Sequence, residues 1–145
     1  MNKPLIVRIV KAVFIIEIAK ILLLITSLFI FLYFQGEQGS LYYHFKKGFL
    51  NSAGYTTFDF DSNAFAYLSG SLTLPLAVAY LNINAINRKR NKLLIGSTIL
   101  YVMFSIQNPF KLLFSIIVLI IISTNKRFRS YMLHSENTDL LEEHD

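Results

Sequence analysis

The sequence predicts an all-α integral membrane protein: a four-helix bundle with both ends in the cytoplasm, whose last two spans are short and joined by a tight Asn-Pro turn. Three observations predict it. The 145 residues are 54% apolar and 16% charged, with a mean hydropathy of +0.48, whereas a soluble domain averages about 45–50% apolar and about 25% charged. Several uncharged runs approach the roughly 20 helical residues that cross a hydrocarbon core of about 30 Å. The basic residues gather between those runs. This composition excludes a disordered chain, and the absence of cysteine excludes a disulfide-stapled scaffold.

The elements follow in order. The first span is expected over about 12–34, where 14 uncharged residues from Ile21 to Phe34 extend a segment broken only by Glu17 and Lys20. A cleaved signal peptide fits it poorly, because the stretch before Ile21 is long and acidic at Glu17, and 35–40 offers no small-x-small site. An outer loop is expected over 35–64. Its rings (Tyr42, Tyr43, Phe45, Phe49, Tyr55, Phe58 and Phe60) beside Lys46 and Lys47 suggest a short amphipathic helix along the headgroups. The alternation Phe58-Asp59-Phe60-Asp61 suggests a short extended piece.

The second span is expected over 65–86, a run of 22 uncharged residues capped by Asp61 and Asn63. The remaining apolar stretch, 93–123, is interrupted by Gln107, Asn108, Pro109 and Lys111. Polar groups at mid-membrane are costly, and Asn-Pro is a turn signal. Two short spans are therefore expected, 93–107 and 109–124, eked out by snorkelling of Lys92 and Lys111. A re-entrant hairpin is the alternative. Together 1–129 form the membrane domain, and 130–145 read as a mobile, acidic cytoplasmic tail with five of the nine acidic residues.

The charge distribution orients this arrangement. With both ends inside, Lys3, Arg8 and Lys11, then Arg88, Lys89, Arg90 and Lys92, then Lys126, Arg127 and Arg129 all face the cytoplasm, ten of the fourteen basic residues. The last two clusters are expected to touch anionic lipid headgroups rather than nucleic acid.

Candidate chemistry is sparse. Glu17 and Lys20 are charges within a span, and at i, i+3 they can pair with each other; an interfacial ion pair and a protonatable site facing the bundle are both open readings. Ser69, Gly70, Thr73 and Pro75 make the second span the most polar and small-faced one, with Asn82 and Asn84 further on. Ser69 and Thr73 permit close helix approach and Pro75 predicts a kink. Asp59-Phe60-Asp61-Ser62-Asn63 starts like a calcium loop, but Ala64 stands where glycine is needed and Gly70 where a bidentate carboxylate is needed. His44, His134 and His144 are split across the membrane or wrongly spaced for a metal, and no catalytic motif, cofactor loop or thiol is present.

Two ends of the sequence, Lys3-Pro4-Leu5-Ile6-Val7 and Thr124-Asn125-Lys126-Arg127-Phe128-Arg129-Ser130-Tyr131-Met132, resemble those of small four-span prokaryotic membrane proteins of uncharacterised role. The likeness covers the layout of most of the chain and implies no activity. The functional expectation is a non-enzymatic accessory or regulatory subunit of the cytoplasmic membrane, self-associating or bound to another membrane protein, with no cofactor. A small oligomeric transporter or channel is the alternative; a membrane immunity or stress protein and a lipid-active enzyme come after it.

Overall fold

The computed structural model of the chain describes residues 4–57, 59–106 and 108–133. Among the described residues there are six helices and no strand: α1 (Leu5–Tyr33), α2 (Leu41–Ser52), α3 (Ser62–Asn87), α4 (Asn91–Phe104), α5 (Pro109–Thr124) and α6 (Lys126–Leu133). The all-α expectation holds. α1 and α3, with 29 and 26 residues, extend about 43 and about 39 Å at ~1.5 Å per residue. Both are long and apolar enough to cross a membrane. α5 and α6 make a third candidate only if counted as one span, and they are bent by 64°. α4, with 14 residues, reaches only about 21 Å.

Local sequence explains most boundaries. α1 starts well before the expected residue 12, because Arg8 and Lys11 are good helix formers and do not interrupt it; the Pro4 carbonyl accepts from Val7 N at 3.0 Å. Ser40 Oγ accepts from Tyr43 N and caps α2. Asp61 Oδ1 accepts from Ala64 N at 2.8 Å and caps α3, as the sequence suggested. Thr57 and Asp59 lie in turns, so the expected extended piece does not form there; Phe58 falls outside the described residues. α3 passes through Pro75 without ending. Asn108 and Pro109 start α5 as a cap and first-turn proline, with Asn108 Oδ1 accepting from Lys111 N. Asn125 Oδ1 caps α6 in the same way through Phe128 N.

The chain divides into two compact units. The first comprises Met1–Ala19 and Pro75–Asp145, so it takes the first half of α1, the second half of α3, and α4 to α6. Its core includes Val7, Val10, Phe14, Val78, Ala85, Ile86, Leu94, Tyr101, Val118 and Ile122. α4 packs on α5, and α6 lies against both. Phe128, Tyr131 and Met132 of α6 are buried in this core, so residues 130–133, expected within the tail, are helical and partly packed. Residues 134–145, with His134, His144 and the acidic side chains, lie outside the described residues.

The second unit is Lys20–Leu74. Leu28, Phe31, Leu50, Phe60 and Ala64 are its core, and the Phe31 ring meets Tyr42, Phe45 and Phe49 at 6.1, 6.0 and 5.4 Å. The short helix expected in the outer loop is α2. It folds back on the end of α1, where the Tyr42 hydroxyl and Lys46 Nζ each donate to the Phe34 carbonyl at 2.9 Å. Carbonyls at a helix C-terminus lack intrahelical partners, so these two donors supply what the ending helix leaves open.

Candidate functional site

Three polar constellations stand out against the apolar background, all within the first unit. The first joins α1, α4 and α5. Glu17 is buried on α1, and Lys111, in the first turn of α5, brings its Nζ to 2.8 Å from Glu17 Oε1. Tyr101 of α4 lies beside the same carboxylate. The Lys111 ammonium lies 5.2 Å from the Tyr101 ring centroid, and the Phe14 ring meets Tyr101 edge-on at 5.6 Å. An anion, a cation and a phenol thus share one site walled by an aromatic ring. Such a site can hold the α4–α5 turn against α1, and it contains groups able to exchange a proton.

Sequence spacing pointed Glu17 towards Lys20. Lys20 is exposed on α1 and takes part in an interaction of its own; Lys111, far along the chain and expected to snorkel, reaches Glu17 from α5. The turn between α4 and α5 brings it to Glu17, and nothing local in the sequence signals that.

The second constellation was missed apart from one residue. Asn82 of α3 is fully buried, and its Oδ1 accepts from Ser97 Oγ at 2.9 Å and Thr98 Oγ1 at 2.8 Å, both on α4. Its Nδ2 donates to the Val78 carbonyl at 3.0 Å. Each hydroxyl also has a carbonyl of its own helix within reach, Leu93 or Leu94. Buried amides and hydroxyls need partners, and here they find them across the α3–α4 pair. Adjacent serine and threonine in an otherwise apolar helix were the available signal.

The third constellation is basic. Lys11 Nζ donates to Asn87 Oδ1 at 2.9 Å, tying α1 to the end of α3. Lys89, in the turn to α4, adopts a left-handed φ of 52° and lies 5.2 Å from the Tyr131 ring of α6. Arg90 N donates to the Ala85 carbonyl, closing the end of α3. These links tie the start of α1 to the end of α3, and the α3–α4 turn to α6, within the first unit.

The remaining singled-out residues lie in the second unit or at its edge. Ser69 is half-buried, while Gly70 and Thr73 are exposed. The hydroxyls of Ser69 and Thr73 bond back to the carbonyls of Phe65 and Ser69, and a Cβ at Gly70 would meet nothing within 4 Å. The small-residue face is therefore open in the single chain. Pro75 begins the α3 portion of the first unit. Around α2, burial pushes the Lys46 ammonium below the usual lysine range and the Tyr42 phenol above the usual tyrosine range. Among the described residues no group of three His, Cys, Asp or Glu is placed to hold a metal.

No family model, curated protein or solved structure matches the chain.

Proposed function

We propose that the chain is a multi-pass protein of the cytoplasmic membrane that works as a non-enzymatic accessory or regulatory subunit through lateral helix contacts. In this reading α1, α3, α4 and α5 sit in the bilayer, the last two as short spans, with both chain ends and the basic clusters on the cytoplasmic side. Support for embedding comes from large apolar side chains left exposed on all four helices, among them Ile16 and Leu23, Leu74, Met103, and Leu113. A water-soluble monomer rarely leaves so much apolar surface uncovered. The nine basic residues near the start of α1, between α3 and α4, and after α5 suit the side that retains Lys and Arg and contacts anionic headgroups.

The observation that carries the interaction role is the open face of α3. Small residues let helix backbones approach closely in lipid, yet in the single chain the space over Gly70 is unfilled. A photo-crosslinking residue at position 70, in native membranes, is expected to give a protein adduct of discrete mass. The same residue at the exposed Ile16 is expected to give lipid adducts only. Lipid adducts alone at both positions would contradict the interaction role.

A second reading, a small oligomeric transporter or channel, draws on the Glu17–Tyr101–Lys111 site, since ionisable groups within spans mark ion or proton paths. It requires flux in proteoliposomes that Glu17→Gln abolishes; flux unchanged by that substitution would remove it.

A further inference from the structure

A groove of about 300 Å³ runs along the start of α1 in the first unit, lined by Val7, Arg8, Lys11, Ala12, Ile15 and Ile86. We propose that it is a discrete binding site for one anionic phospholipid, with the phosphate held by Arg8 and Lys11 and the start of an acyl chain lying along Val7, Ala12, Ile15 and Ile86. The assignment rests on the membrane-embedded reading above and goes beyond the diffuse attraction of a basic surface for a charged leaflet.

The order of residues carries it. Arg8, Lys11, Ala12 and Ile15 fall at i, i+3, i+4 and i+7, on one stripe of the helix. Along about 10 Å of helix that stripe changes from two cations to purely apolar side chains. A phospholipid changes character in the same way over the same depth. Val7 and Ile86 are buried and form a solid apolar floor, whereas Arg8, Ala12 and Ile15 are exposed and leave the groove open at the side. The Lys11 ammonium is already held at the groove by Asn87, 2.9 Å away, which lowers the entropy lost on binding. Asn87 is neutral, and no acidic side chain lines the groove, so the two positive charges call for an anion. The volume is at the small end of ligand sites. It suits a phosphate, its glycerol and the first carbons of one chain.

The test uses the full-length protein in nanodiscs of phosphatidylcholine with graded phosphatidylglycerol, followed by native mass spectrometry and by competition with soluble glycerol phosphate. One phosphatidylglycerol per chain is expected to be retained. Each basic residue near a charged leaflet contributes about fivefold in affinity, so Arg8→Gln with Lys11→Gln is expected to weaken retention on the order of 25-fold. Ala12→Phe, which fills the groove and keeps both charges, is expected to abolish discrete retention. Arg127→Gln with Arg129→Gln, on α6 and outside the groove lining, is expected to keep it. Equal loss from the Arg127/Arg129 pair, or retention surviving Ala12→Phe, would overturn the proposal, as would full displacement by glycerol phosphate, which would show a free-phosphate site. Resistance of each variant to alkaline extraction from membranes separates this outcome from failure of the embedded reading: loss of lipid with insertion intact bears on the groove alone.

Discussion

Glu17 and Lys111 should act as a latch on the α4–α5 turn. Their oxygen and nitrogen are 2.8 Å apart, and the side chains are only 10% and 24% exposed. At that distance the Coulomb attraction is about 1.5 kcal/mol in water and about 6 kcal/mol at an effective dielectric of 20. Desolvation offsets much of it, so the whole pair adds little relative to an apolar replacement. Removing one partner is different, because the other charge stays buried. That costs about 3–5 kcal/mol, and partial exposure of Lys111 puts Glu17→Gln near the lower figure. About 3 kcal/mol is roughly 100-fold in an opening equilibrium.

Ser105 reports on that opening. It is fully buried just beyond α4, and the chain contains no cysteine, so Ser105→Cys provides a unique, nearly isosteric thiol. Its labelling by a maleimide requires the turn to lift. In the Ser105→Cys background, Glu17→Gln or Lys111→Met is expected to speed labelling roughly 100-fold. The double change Glu17→Met with Lys111→Met is expected to return it to within about fivefold of the parent, a difference of about 1 kcal/mol. Labelling of both single variants within about threefold of the parent would refute the latch.

Three more outcomes follow from the packing. Asn82→Ala should lower stability in detergent by about 2 kcal/mol, because it removes an acceptor for two hydroxyls and leaves a void, while Ser97→Ala should cost about 0.6 kcal/mol; denaturant midpoints read both. Gly36 has a φ of +70°, and a Cβ there would fall 2.5 Å from the Tyr42 ring, so Gly36→Ala should destabilise the α1–α2 connection by about 1–3 kcal/mol. Gly39→Ala, strained in φ but in open space, should cost about 1 kcal/mol, as read by protease resistance of the loop. Lys46 holds its proton less tightly when folded than its ordinary 10.5, so its burial penalty is constant at neutral pH and falls as pH rises from its lowered pKa towards 10.5. Stability of the parent relative to Lys46→Met should therefore increase across that window, and a flat difference would contradict the burial.

The sequence revealed what is local. Asn108 and Pro109 marked the start of α5, Asp61 the start of α3, and the aromatic loop the presence of α2. Long uncharged runs located α1 and α3. What it concealed is non-local. Lys111 of α5 meets Glu17 of α1, and Asn82 of α3 meets Ser97 and Thr98 of α4. No periodicity in a single segment encodes either meeting. α6 was hidden for a related reason: as an isolated polar segment it has little drive to fold, but with Phe128, Tyr131 and Met132 on one side it is completed by the core beneath. The contacts of Lys11 with Asn87 and of Lys89 with the Tyr131 ring were not legible either, because each joins segments far apart in sequence.

The central claim, a membrane-embedded chain with its basic clusters on the cytoplasmic side, is tested most directly by impermeant-maleimide labelling of single cysteines in intact cells. Gln38→Cys should label from outside, while Asn87→Cys and Ser130→Cys should label only after the membrane is permeabilised. Labelling of positions 87 and 130 from opposite sides, or of all three from outside, would contradict the account.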